Sequence, residues 1–222
     1  MTGGRLAVFC DFDGTAARRD VGYNMFRHFS GGRNEALLPD WKAGRLSTRE
    51  CLLREAEMVQ VPAREVLEYL DRFELDPTFE PFVRLCRSCR VPVIVVSEGL
   101  DFYIRRVLAG AGLDDLLLLC NVGVLRDHSL QIVFPHVNRV CRRCGNCKGE
   151  RITEYRREAG GAIKVAFVGD GYSDACAARQ ADLLFAKSDL ELFCRAERIA
   201  YNSFDDFSDV TSQLRRQGFL TS

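Results

Sequence analysis

Three short apolar runs, RLAVFC (residues 5–10), VPVIVVS (91–97) and AIKVAFVGD (162–170), each lead into polar residues: Asp11 and Asp13, Ser97, and Asp170. Runs this short and continuous predict buried strands. Helical patterns follow the second and third, with Ile104, Val107, Leu108 and Ala111 on one face and a helix over 173–180. Strands apolar on both faces and alternating with helices predict an α/β fold with a parallel sheet covered on both sides. Ligands of such sheets gather at the carboxyl ends of the strands. Three strands that end in acids and a hydroxyl therefore mark where chemistry is expected. Further strands are expected at LLLLC (116–120) and ADLLFA (181–186), with a hairpin over 122–134 turning at 127–129.

Between the first strand and Pro77 the pattern is helical. VGYNMFRHFS, NEALLPDWKAG, STRECLLREAEMV and PAREVLEYLDRF read as short amphipathic helices. Ser47 with Glu50 forms a capping-box pattern, and Val66, Leu67, Leu70 and Phe73 form one stripe. Residues 16–76 are expected to be a small helical cap inserted after the first strand, over the strand ends, with 1–15 and 77–222 as the α/β core. Tyr23, Met25, Phe26 and Trp41 are expected in the cap's own core, with one or two aromatics reaching the substrate; His28 is undecided between surface and pocket.

The chain of 222 residues suits one domain with a modest insertion. Its 31 basic and 31 acidic side chains cancel, which gives no support to a nucleic-acid or membrane partner. No apolar run approaches the ~20 residues of a membrane helix, and no export signal is visible, so a cytoplasmic protein is expected. In that setting most of the ten cysteines, among them Cys10, Cys86, Cys120 and Cys176, read as buried thiols.

Two carboxylates at a buried strand end repel each other and lose solvation. A divalent cation offsets both effects. Asp11 and Asp170, with Asp174 as a further candidate, supply only oxygen, which suits Mg²⁺ and not zinc. On an extended strand residues two apart project the same way, so Asp11 and Asp13 are expected to face one substrate while Phe12 turns into the core. A carboxylate in line with a phosphoryl group can attack it, and a second can protonate the leaving oxygen and later activate water. Ser97 and the amides after it, and Lys148 at a helix start, would stabilise charge on the transferring group. Taken singly, the acid pair is equally a helix-capping turn, GDGYSD a glycine turn and Lys148 a surface lysine.

As an ordered set, DFDGT (11–15), Ser97 in VVSEGLDFYI, Lys148 in GNCKGERI and GDGYSD (169–174) resemble the four motifs of the haloacid dehalogenase superfamily of phosphohydrolases. The helical insertion resembles the cap of its phosphoserine-phosphatase-like branch. GLDFYI, CGNCKGE and DWKAGRLSTRE are similar to the methionine-salvage phosphatases of that branch, over almost the whole chain. The resemblance implies a Rossmann-like core and a Mg²⁺-dependent phosphomonoesterase that forms an aspartyl-phosphate on Asp11. Asp13 would be the acid/base and would bind metal through its backbone carbonyl. Ser97, Glu98, Gly99 and Lys148 would hold phosphate, Asp170 would bind Mg²⁺, and Asp174 would support the metal from nearby. Glu98 departs from the branch, where many members have glycine.

The implied substrate is a small cytosolic phosphate ester, either a methylthio sugar phosphate of methionine salvage or another metabolite: phosphoserine, phosphoethanolamine, phosphocholine or a vitamin phosphate. A phospho-accepting receiver-type domain is the rival outside enzymes. Separately, HVNRVCRRCGNCK (136–148) sets His136, Cys141, Cys144 and Cys147 at a spacing that would hold structural zinc. Free or redox-sensitive thiols are the leading reading there, and a disulfide is the third.

Overall fold

The computed structural model describes residues 5–136 and 138–221, so residues 1–4, 137 and 222 of the expected core lie outside the described residues. Seven strands form one sheet in the order β4-β3-β2-β1-β5-β6-β7. They are β1 (Arg5–Cys10), β2 (Val93–Leu100), β3 (Leu117–Arg126), β4 (Ser129–Val133), β5 (Ile163–Gly169), β6 (Leu183–Ala186) and β7 (Asn202–Ser203). All neighbours are parallel except β3 and β4, which form an antiparallel hairpin at one edge. The two-residue β7 has no sequence pattern to announce it. LLLLC and the first arm of the expected hairpin are a single strand, β3.

Alternation in β1 feeds two cores. Leu6, Val8 and Cys10 face one side of the sheet, and Ala7 and Phe9 face the other. Ten helices surround this sheet or lie in the long β1 to β2 connection among the described residues: α1 (Val21–Ser30), α2 (Leu38–Lys42), α3 (Thr48–Glu57), α4 (Ala63–Leu70), α5 (Phe79–Ser88), α6 (Asp101–Gly110), α7 (Lys148–Glu158), α8 (Ala175–Ala178), α9 (Ser188–Glu197) and α10 (Phe207–Arg216). Phe79 and Phe82 of α5, Ile104 of α6 and Phe207 of α10 pack on the first face. Ile152 of α7, Ala177 of α8 and Leu190 of α9 pack on the second with Phe9 and Phe167. Each such aromatic removed from water contributes about 1.5–3 kcal/mol. No helix among the described residues is long and apolar enough to cross a membrane.

Helices α1 to α4 all lie between β1 and β2, and no strand longer than a bridge occurs in that stretch. The Ser47–Glu50 capping box forms at the start of α3. The ends of the stretch meet through an antiparallel bridge, Ala17 with Leu75, and the Asp76 amide donates to the Ala16 carbonyl at 2.8 Å. Chain order reverses on either side of β1, because β2 lies on one flank and β5 on the other. That reversal opens a crevice at the carboxyl ends of β1 and β5, where Asp11 and Asp170 emerge.

Candidate active site

The acid pair does not continue the strand. β1 stops at Cys10, and Phe12–Ala16 form one turn in which Gly14 takes φ +76°. Asp11 and Asp13 thus reach one cavity by way of the turn and not by strand alternation. Phe12 is turned into the core, fully buried. A Cβ on Gly14 would stand 2.5 Å from Asp170 Oδ2, so both the positive φ and the close approach call for glycine. Thr15 Oγ1 donates to Asp170 Oδ1 at 2.8 Å, tying the turn to the end of β5.

Lys148, first residue of α7, is only 1 % exposed, and its Nζ lies 2.6 Å from Asp11 Oδ1 and 2.5 Å from Asp174 Oδ1. Asp11 Oδ1 also accepts from the Phe12 amide at 2.7 Å. Asp174 Oδ2 accepts from the amides of Asp170 and Gly171 at 3.0 and 3.1 Å, so both its oxygens are engaged. One oxygen from each of Asp11, Asp170 and Asp174 lies within 4.8 Å of the others. The Asp13 carboxylate stands outside that group. Its Oδ1 accepts from the Val21 and Gly22 amides at 2.8 and 3.1 Å, and its Oδ2 accepts from the Tyr103 hydroxyl at 2.9 Å.

Burial raises the carboxyls of Asp11, Asp13 and Asp170. It pushes Asp13 up to about 7, with Asp20 adding repulsion, and Asp170 to about 6, with Asp174 adding repulsion. Asp11 is also raised by burial and by Asp174, against the pull of Lys148. Burial alone would lower Lys148, but Asp11 and Asp174 outweigh it and hold the ammonium charged. Oxygen-only donors with more negative charge than one lysine offsets fit a hard divalent ion such as Mg²⁺.

Ser97 is buried at the end of the regular pairing of β2 with β3, where the register shifts between Val96 and Leu100. Its Oγ accepts from the Gly99 amide at 2.9 Å, and its carbonyl accepts from Asn146 Nδ2 at 3.0 Å. A Cβ on Gly99 would overlap the Tyr103 hydroxyl. Glu98 lines the cavity, but its Oε2 is anchored by the Gly145 amide at 2.9 Å, and burial pushes its carboxyl up to about 7.

These groups form the floor of a cavity of ≈ 500 Å³. Its other wall comes from α1 to α3, where Phe26, Leu38, Trp41 and Leu52 supply apolar surface and Glu55 a buried acid. Tyr23, Phe26 and Trp41 face the cavity, whereas Met25 is core. His28 stacks on Tyr69 at 4.2 Å, away from that cavity. Sequence reasoning missed Asp20, Tyr103 and Thr15. Asp20 reads only as the N-cap of α1, which it also is, and the other two gain meaning only from the groups opposite them.

A second cluster corrects an expectation. The sulfurs of Cys141, Cys144 and Cys147 are joined by Cys176, and His136 is not among the grouped ligand atoms. Burial and the charge of Arg151 on α7 lower the His136 pKa, whereas the cysteine cluster includes Cys147, the N-cap of that helix. All ten cysteines are free thiols.

A model of the haloacid dehalogenase-like hydrolases matches residues 8–179, most of the chain. The chain belongs to the haloacid dehalogenase-like hydrolase family. As an enzyme of that family, the hydrolase leaves the receiver-type reading without support. It is 29% identical over 216 residues to the 2-hydroxy-3-keto-5-methylthiopentenyl-1-phosphate phosphatase of Geobacillus thermodenitrificans (strain NG80-2), with 96% of each chain covered. Among solved structures it is similar to a phospho-aspartyl intermediate analogue of phosphoserine phosphatase, with TM-score 0.73, 19% identity, and 95% and 98% of the two chains covered. The phosphoserine phosphatase from T. onnurineus in complex with NDSB-201 gives TM-score 0.70 at 17% identity, covering 95% and 94%. At these identities the structural likeness speaks for the fold.

Proposed function

We propose that the hydrolase is a phosphomonoesterase that transfers the phosphoryl group of a small metabolite to Asp11 and then to water. The observation that carries this reading is the convergence of Asp11, Lys148 and Asp170 beside Asp13, on the floor of one largely apolar-walled cavity. Both described contacts of the Asp11 carboxylate fall on Oδ1, which leaves Oδ2 to form the bond to phosphorus. As the ester P–O bond breaks, the Asp13 carboxyl, held near 7 by burial, gives its proton to the leaving oxygen. The resulting Asp13 carboxylate then takes a proton from the water that attacks the aspartyl-phosphate. Lys148 faces Asp11 throughout and offsets charge on the transferring oxygens, and Ser97 Oγ and the amides around it hold them.

Asp11, Asp170 and the Asp13 carbonyl would hold Mg²⁺, with Asp174 orienting Lys148 and the Asp170 backbone. That ion supplies charge neutralisation for the phosphoryl group and the crowded acids. Residues 16–76 serve as a cap. The stem at Ala17 and Leu75 closes the stretch on itself, and α1 to α3 form the wall opposite the acids.

For the substrate, the names of the curated relatives and the apolar patch of Phe26, Leu38, Trp41 and Leu52 favour a methylthio sugar phosphate. Glu55 and Glu98, both buried acids at the same cavity, favour an amine-bearing phosphate ester as the second reading. Phosphate release across a panel holding both classes decides. A kcat/KM for the methylthio compound at least ~10-fold above every amine-bearing ester is expected, and the reverse ranking overturns the first reading.

A further inference from the structure

We infer that Cys141, Cys144, Cys147 and Cys176 form a closed four-thiolate zinc site that locks the Lys148 loop onto the segment after Asp174. One sulfur from each residue lies within 4.8 Å of the other three, and Cys144 and Cys147 are buried. In a tetrahedron with Zn–S near ~2.3 Å the sulfurs stand about 3.8 Å apart, so small shifts of the thiols complete it. Iron–sulfur clusters space their ligands more widely, so this grouping suits a single ion. The donor set selects a thiophilic metal and rejects the Mg²⁺ that fits the aspartates.

Backbone amides reach two of the four sulfurs. The Cys144 amide donates to Cys141 Sγ at 3.5 Å, and the Glu150 amide donates to Cys147. Cys147 is also the N-cap of the eleven-residue α7, whose dipole favours negative charge there. The loop is fixed independently of any ion. Glu150 accepts from the amides of Val140 and Cys141 at 3.0 and 2.7 Å, and Asn138 bonds the Cys147 amide at 3.0 Å and the Cys144 carbonyl at 2.7 Å. The fourth sulfur comes from a distant part of the chain. Cys176 thiol contacts Cys141, Cys144 and Cys147, and α7 lies so close to its backbone that a Cβ on Gly149 would stand 2.5 Å from the Cys176 carbonyl oxygen.

The site's position gives it a role. Cys147 directly precedes Lys148, and Cys176 lies two residues after Asp174, so one ion would join the backbones that carry the 2.5 Å Lys148–Asp174 pair. Zn²⁺ entering the site displaces the four thiol protons and leaves the ion inert to redox chemistry. The cysteines are therefore positioning residues and touch no substrate.

The test is metal content and spectrum, independent of activity. After expression with zinc and passage over a chelating resin, wild type should hold ~1 zinc per chain. Cys176→Ser should hold less than ~0.2, or lose zinc to a chromophoric chelator at least ~100-fold more readily, while His136→Ala keeps the wild-type content. Should Cys176→Ser fail to fold, Co²⁺ bound to wild type decides instead, through the intense visible bands and thiolate charge-transfer absorption of a tetrahedral four-sulfur site. The inference is overturned by less than ~0.1 zinc per chain after reconstitution, by iron in its place, by a Co²⁺ form lacking those bands, or by equal metal loss from His136→Ala and Cys176→Ser.

Discussion

The ammonium of Lys148 lies 2.6 Å from Asp11 Oδ1, and both side chains are sealed from solvent. A single cation thereby serves Asp11 and Asp174 at once, in a setting where each acid is costly without it. Removing the ammonium strands two carboxylates. In Lys148→Met, kcat should fall at least ~10²-fold, because the charge opposite the transferring phosphoryl group is gone. With Mg²⁺ chelated, urea unfolding near pH ~8 should show a loss of about 2–4 kcal/mol, shrinking near pH ~5 as the orphaned acids take up protons. Equal losses at both pH values would mean that packing, and not charge, explains the effect.

Asp11 and Asp13 have separate tasks, so their amides should fail differently. Asp11→Asn removes the oxygen that forms the bond and should abolish turnover, with no phosphorylated enzyme trapped by acid quench. Asp13→Asn leaves the attacking oxygen and removes the proton donor, which costs the ~10²–10⁴-fold of a general acid. For an ester with a good leaving group that needs no proton, Asp13→Asn should show a burst of phosphorylation followed by slow hydrolysis. Wild-type turnover by Asp11→Asn would exclude the proposed nucleophile.

Tyr103 tunes Asp13. Its hydroxyl donates to Asp13 Oδ2 at 2.9 Å and favours the charged carboxylate, opposing the upward push of burial toward about 7. Tyr103→Phe removes that donor, so the Asp13 pKa should rise. The first step needs the protonated acid, and the alkaline limb of kcat/KM should therefore move to higher pH while KM changes little. A profile unchanged in both limbs would detach Tyr103 from the proton transfer.

The motifs were legible because each needs only local spacing: DFDGT, Ser97, Lys148 and GDGYSD all fall at strand or helix ends, where short apolar runs stop. Less was legible where meaning depends on what folds opposite. Asp13 reaches the cavity from the Phe12–Ala16 turn and not by strand alternation, because β1 ends at Cys10; Gly14 then takes φ +76° where the chain passes Asp170. Cys176 carried no metal-ligand spacing relative to Cys141, Cys144 and Cys147, yet the packing of α7 against α8 brings it to them. His136 had the spacing and is not part of the cluster.

Glu55 offers a stability test outside the metal-binding acids. It is buried on α3 with Asn34 Nδ2 donating to its Oε1 at 3.2 Å, and burial pushes its carboxyl from 4.5 up to about 7. The folded protein thus holds a proton that the unfolded chain releases above its ordinary 4.5. Between 4.5 and about 7 the native state binds more protons, so the neutral acid's contribution is whole below 4.5 and is lost as pH rises through 7. Glu55→Gln keeps the acceptor for Asn34 and has no proton to lose. It should match wild type near pH ~4.5 and exceed it by about 1–3 kcal/mol near pH ~8.5. Because Glu55 also lines the cavity, the same variant divides the two substrate readings: an amine-bearing ester should lose affinity with it, whereas a methylthio compound should keep its KM. A stability difference independent of pH would show that Glu55 is ionised in the native protein across that range.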